Sequence, residues 1–471
     1  MRFFHHRTTC LLLIILTHSS ALGASSSEQV APVLGAGTTL SFKEAWSRLA
    51  DENASIRSSE EMVSKAKNER NAARSLYLPS VSIEGSYTRI DDPIVIDLDP
   101  IRQTILKLHH LPSSTVPPFV EQVQDEEFGK VTLQGTWTLF TGGKRPAANQ
   151  AASARLKDAE AQAETTLAET RSALVSRYFG LRLAREVVRV RRELEDAMAR
   201  HAEEARKIEK AGLIAKAERL HAEVALADAR MEARSAESDV LSAQAALRSL
   251  LPSPGEVEPT SGLFMATLDR GLDELQQAVL ENQPALRRVD ANLSLAQAGT
   301  RAQKGRFLPD IYVYGKDELY RKDLTLLEPQ WAVGVGARFP LFEGGKRVFD
   351  HAAARHQVES VEALREQARR DLVSLVEVRF RSLHKAEERF KALEATVELA
   401  RENERVRAKA FESGMATSLE VTDAQAMLAK ARLGRLAAAY DFDVALALLL
   451  ETVGLSEDFE KVREAGTEVR P

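Results

Sequence analysis

Leu139-Phe140-Thr141-Gly142-Gly143-Lys144 closes an alternating run and opens a long, proline-poor one; 202 positions downstream, Leu341-Phe342-Glu343-Gly344-Gly345-Lys346 does the same. From Gly142 to about residue 252 the two halves stay in register. Tyr178 answers Phe380, Ala184 answers Ala386, and Gly212-Leu213 answers Gly414-Met415. Leu78-Pro79 and Leu308-Pro309 stand before the matching alternating runs. A register held over about 110 residues marks a duplicated unit of strands followed by helices.

Before each glycine pair the apolar period is two. Val81, Ile83, Gly85 and Tyr87 alternate with Ser82, Glu84, Ser86 and Thr88; Val131 to Leu139 repeats the pattern. In the second half Ile311 and Val313 begin a third run, and Trp331, Val333, Val335, Ala337 and Phe339 form a fourth. Runs of about 9–10 residues fit tilted strands that cross a bilayer. A soluble sheet packed on a core would alternate in the same way. Four strands cannot close a barrel, and open edges are unsatisfied in lipid, so the spanning reading requires further copies of the chain: three would supply twelve strands in a ring.

After each glycine pair the period becomes helical. Pro146 is the only proline from Lys144 to Leu251, and it falls in the first turn, where it costs little. Val348 to Thr452 has none. Leu167, Leu174, Tyr178, Leu181 and Val188 form one apolar stripe; Leu213, Leu220, Val224 and Met231 form another. Alanines such as Ala152, Ala229 and Ala236 suit close helix packing, and alanine is also simply the best helix former. Lys210-Ala211-Gly212-Leu213 and Glu412-Ser413-Gly414-Met415 break the tracts at the same register, as reversals would. Lys144–Ala211 would then be about 100 Å long, matched by the helices over 213–251 and 272–305 laid end to end. In the other half, 40–75 and 416–453 together match the second long helix. The expected shape is a rod.

The remaining features bound the class. Arg2 and Arg7, the apolar Leu11–Leu16 and the small residues Ala21-Leu22-Gly23-Ala24 predict a signal peptide over 1–24, too short in its apolar part for a membrane anchor. Cys10, the only cysteine, lies within it, so no disulfide is expected in the mature chain. A net charge of -5 over 471 residues argues against a nucleic-acid partner. The longest later apolar run, Val444–Leu450, cannot span a bilayer as a helix. No phosphate loop, metal-ligand spacing or nucleophile elbow is apparent, and Gly142-Gly143-Lys144 lacks the remaining Walker spacing. His109-His110 fall in a long connection, and His201 and His221 read as too far apart to chelate together. The chain is thus not expected to be an enzyme or to carry a cofactor or metal. The connection over 90–130, with Asp91-Asp92-Pro93 and Pro117-Pro118, suits either a folded cover over a pore mouth or a tolerated insertion.

With these elements in order, the sequence resembles the TolC-like outer-membrane efflux proteins from about Thr39 to Gly454. The resemblance rests on Tyr77-Leu78-Pro79, Phe307-Leu308-Pro309, the two Leu-Phe-x-Gly-Gly turns and the stretch Gly414 to Gln425. It implies an all-α dominated protomer that adds four strands to a twelve-stranded barrel, in a homotrimer set in outer-membrane lipid. Long coiled-coil helices form a periplasmic tunnel that docks on a periplasmic adaptor and an inner-membrane pump, or on a type I secretion apparatus. The implied division is 25–38 an N-terminal extension; 39–76, 144–305 and 348–454 the tunnel; 77–143 and 306–347 the barrel strands and external loops; and 455–471 a C-terminal tail. Gly142, Gly143, Gly344 and Gly345 would turn the chain from barrel to tunnel. Gly212, Leu213, Gly414 and Met415 would form the docking tips, and Glu420 and Asp423 would line the aperture. The tyrosine and arginine that latch family members shut are replaced by Phe411 and Ala416, so closure must use other contacts or be weaker. The rival reading is a periplasmic structural coiled coil.

Overall fold

The structure, a computed structural model, describes residues 38–251, 255–325 and 327–469. The expected signal peptide and nearly all of the 25–38 extension lie outside them. Ten helices are labelled among the described residues: α1 Phe42–Glu52, α2 Ala54–Ser75, α3 Asp99–Leu108, α4 Lys144–Lys210, α5 Lys216–Arg248, α6 Leu272–Asn282, α7 Pro284–Gly305, α8 Lys346–Glu412, α9 Ser418–Val453 and α10 Asp458–Ala465. The four long strands are β1 Ser80–Arg89, β2 Glu127–Phe140, β3 Asp310–Glu318 and β4 Trp331–Arg338. They form one antiparallel sheet in the order β1-β2-β3-β4, leaving one side of β1 and one side of β4 unpaired.

The duplication is exact in length at its centre. Helices α4 and α8 each have 67 residues, about 100 Å of rise. Helix α4 packs along α5 and α7, and α8 along α9, as the length matching requires; α6, expected to continue α7 along α4, packs on α8 instead. Helix α2 departs from that scheme: it packs along α4 and makes no comparable contact with α8. The expected helices over 40–75 and 272–305 are each broken once. Asn53 accepts from the N–H groups of Ser55 and Ile56 and so caps a new helix. Pro284 occupies the first turn of α7, with Gln283 as its cap.

The apolar core sits at mid-rod. Phe42 of α1, Tyr178 and Phe179 of α4, Phe264, Phe442 of α9 and Phe459 of α10 are all buried and in ring contact. The Tyr178 hydroxyl donates to the Leu40 carbonyl at 2.7 Å and accepts from the Ser261 N–H at 3.1 Å, satisfying its polar end inside the core. Phe459 makes the 455–471 region more than a tail, because its helix closes this cluster. Two short strand pairs flank it, Thr38–Leu40 with Val257–Pro259 and Thr467–Glu468 with Phe264–Met265.

Leu174, Tyr178 and Leu181 of the first predicted stripe are buried. The second stripe is not: Leu213, Leu220, Val224 and Met231 are exposed, and α5 instead turns Ala222, Ala229, Ala233 and Ala236 inward. The same is true of the sheet. Val81, Ile83 and Tyr87 of β1 and Trp331, Val333 and Val335 of β4 are exposed, with no helix laid over them. The 90–130 connection is folded, with α3 and a hairpin of Ile94–Asp97 against Val120–Gln124.

Candidate functional site

The two ends of the helical unit are built by the two glycine devices. At the sheet end Gly142, Gly143, Gly344 and Gly345 all have positive φ, between 61° and 90°, and Gly143 and Gly345 are the N-caps of α4 and α8. Behind each stands an arginine that the sequence reading passed over. Arg145 donates to the carbonyls of Leu139 (2.6 Å) and Leu76 (3.3 Å) and lies 5.0 Å over the Tyr77 ring. Arg347 donates to Leu341 (3.0 Å) and Arg306 (3.2 Å) and lies 5.6 Å over Phe307. Each guanidinium satisfies carbonyls left free where strand becomes helix. Its signal was present: Gly-Gly-Lys-Arg occurs in both halves.

At the far end both reversals are Schellman turns. Gly212 donates to Glu209 and Leu213 to Ile208; Gly414 donates to Phe411 and Met415 to Ala410. The glycines have φ of 76° and 70°, conformations that side-chain-bearing residues avoid. Leu213 and Met415 project from these tips at 76% and 78% exposure. Helix α5 starts at Lys216 and α9 at Ser418, so both residues lie in the turns.

The two predicted aperture acids differ. Glu420 forms a capping box with Thr417, accepting from its N–H at 2.8 Å, and its other oxygen pairs with Arg407 at 2.6 Å. The Thr417 N–H and then Arg407 hold its carboxyl below the usual range. Asp423 is exposed and has no ion pair among the described residues. It lines a cavity of about 290 Å³ with His221, Asp228 and Arg191.

Phe411 stands where the family's latching tyrosine would be, and it is buried. Its ring meets that of His201 at 4.6 Å, in a cluster with Ala202, Ala205, Ala222 and Val421. His201, on α4, is 4% exposed, and its Nε2 lies 2.7 Å from the Ser418 hydroxyl of α9. His221, on α5, places Nε2 3.1 Å from the Thr422 hydroxyl, one turn further along α9. The two histidines, expected to be far apart, are brought to neighbouring turns by the α4–α5 reversal. The Ser418 N–H donates to Glu218 of α5 at 2.7 Å. Burial holds His201 below the ordinary imidazole value, with His221 adding to this and Glu218 opposing it. Close by, burial and then Glu412 raise the Glu204 carboxyl. Among the described residues no group of three His, Cys, Asp or Glu could hold a metal ion, and no helix is long and apolar enough to cross a membrane.

A rod of duplicated helical hairpins carrying an uncovered four-stranded sheet defines the class, and residues 45–252 and 275–455 match it: the chain belongs to the outer membrane efflux protein family. It is a protein of the Gram-negative outer membrane, with its helical part periplasmic. Among curated relatives it is similar to Protein CyaE of Bordetella pertussis, 28% identical over 251 residues, 51% of this chain and 52% of that one. It is also similar to the cobalt-zinc-cadmium resistance protein CzcC of Cupriavidus metallidurans, 27% identical over 252 residues, 52% and 58% of the two chains. The chain thus spans about half the length of the curated relatives it matches. Of solved structures, CusC superposes with a TM-score of 0.74 at 16% identity, over 88% of this chain and 92% of that one. VceC of Vibrio cholerae does so with 0.70 at 15%, over 88% and 96%. These likenesses carry the fold.

Proposed function

We propose that three copies of this chain join their sheets into a twelve-stranded barrel and their helices into a tunnel. The assembly is the outer-membrane exit duct of a tripartite efflux or type I secretion system. The observation that carries this reading is the unfinished sheet. Strands β1 and β4 each leave a row of backbone donors and acceptors unpaired, and apolar residues on the same strands are bare. Lipid tolerates such strands only in a closed barrel. The exposed stripe of α5 gives the helical part a face for the next copy.

The duct does no chemistry; it conducts passively when docking opens its inner end. The tips at Gly212, Leu213, Gly414 and Met415 are the surfaces offered to a periplasmic adaptor beneath which an inner-membrane pump sits. Asp423, with Glu420 in a lesser role because Arg407 and its own helix cap already engage it, sets a negative potential at the aperture. The name of one relative points to cobalt, zinc and cadmium resistance; the duct itself does not fix the cargo, since selection belongs to the pump.

The test is single-channel recording of the detergent-purified protein in a planar bilayer. A small, cation-favouring conductance that loses selectivity in Asp423→Ala plus Glu420→Ala supports the duct and its aperture. Folded, membrane-derived protein that never conducts sinks it.

A further inference from the structure

The contact between the two hairpins of one protomer carries two side-chain hydrogen bonds, one buried and one part-buried, and each has a histidine on one side. We propose that His201 and Ser418, backed by His221 and Thr422, form a latch that ties the α4–α5 hairpin to the start of α9 and lets go when His201 takes up a proton. This rests on the duct reading only for its consequence, that release widens the inner end.

The geometry sets the chemistry. The Thr422 hydroxyl donates to the Ser418 carbonyl at 3.1 Å, so His221 must be the donor to it, with its proton on Nε2. Ser418 is fully buried; its N–H is taken by Glu218 and its hydroxyl by His201. Neutral His201 therefore completes the first turn of α9 while filling an apolar pocket with Phe411, Ala205 and Val421. A charged imidazolium keeps the hydrogen bond but not the pocket, because a buried cation needs water or a full counter-charge. Among the described residues Glu218 is the carboxylate whose charge favours it, and that group already accepts from the Ser418 N–H. Opening the tip to water relieves the cost.

The surrounding charges decide the sign. Helix α4 supplies Glu204 and α8 supplies Glu412, which faces it; α5 supplies Glu218 and His221; α9 supplies Asp423 and Glu420, the latter paired with Arg407 of α8. Protonating Glu204 would remove its repulsion with Glu412 and tighten the tip, the reverse of the histidine effect. Because the folded His201 sits below its ordinary 6.5, the latch is at full strength above that pH and is lost as pH falls below it.

The experiment uses the full-length protein in a planar bilayer, with the bath taken from about pH 7.5 to about pH 5.5. One proton per latch allows at most about a tenfold change in the open-to-closed ratio per pH unit. The expected result is a several-fold rise in open probability as pH falls. It should be absent in His201→Gln, which keeps a donor for Ser418 and cannot be charged. In parallel, amide exchange at residues 416–422, corrected for its intrinsic pH dependence, should quicken on acidification in the wild type only. This second readout needs no conduction, so a failed duct and a failed latch are told apart. A conductance that falls with acid, or a His201→Gln protein that keeps the wild-type pH response in both measurements, overturns the proposal.

Discussion

Gly142 and Gly305 meet backbone to backbone: a Cβ built on Gly305 would stand 2.7 Å from the Gly142 carbonyl oxygen, and one on Gly142 would stand 2.8 Å from the Leu308 Cβ. The first strand-to-helix turn is thus pressed against the end of α7. Gly344, its partner in the duplication, has open space around it. Gly344→Ala should therefore cost only the left-handed backbone, about 1–2 kcal/mol. Gly142→Ala adds an overlap that packed backbone cannot yield to and should cost at least about 3 kcal/mol. Thermal unfolding of the two variants in detergent, followed by circular dichroism, should rank them in that order.

The arginines behind these turns act through geometry as well as charge. Arg145 reaches two carbonyls and a ring at once, which a lysine cannot do from one position. Arg145→Lys should lose about 2 kcal/mol and behave almost as badly as Arg145→Ala in the same melting experiment. Full rescue by lysine would mean that the charge alone matters.

At the proposed aperture, Thr417→Ala removes the cap of α9 and should cost about 1 kcal/mol. Asp423→Ala breaks no side-chain bond among the described residues and should leave the melt unchanged while lowering cation preference. Arg407→Ala should do the opposite to selectivity, because it uncovers the Glu420 carboxylate. Reversal potentials in a salt gradient distinguish the three.

Asp443 is a carboxyl with no exposure, on α9 beside the aromatic core, and among the described residues neither oxygen meets a donor in good hydrogen-bond geometry. Burial pushes it well above its ordinary 3.8, although the Phe264 backbone and Arg463 pull the other way. The folded chain holds this proton where the unfolded chain has released it, so stability falls as pH rises above 3.8. Asp443→Asn should flatten that slope and raise the melting temperature at neutral pH. An unchanged slope would place the proton elsewhere.

The repeat, the strands, the paired long helices and both glycine reversals were legible because each depends on period or on a backbone conformation that few residues adopt. What escaped depends on which surfaces meet. Leu213, Leu220, Val224 and Met231 have the spacing of a core stripe and yet face outward, since alanines on α5 allow the closer approach to α4. Phe411 read as a missing latch residue, whereas its ring packs on His201 from a helix more than 200 residues away in sequence. The twentieth residue after His201 becomes its neighbour only because Gly212 reverses the chain. Glu420 has the position of an aperture acid, and Thr417 three residues before it also engages it in a capping box, a pattern short enough to be visible in sequence.

The two raw edges of the sheet have a consequence for heredity. A chain that completes itself alone can be damaged in one allele and rescued by a second, because good copies ignore bad ones. In the proposed ring each copy must be clasped on both sides, so a variant that folds its helices but spoils the β1 or β4 edge still enters the ring and breaks it. Such alleles should be dominant over the intact gene, and alleles that abolish the chain altogether should be recessive.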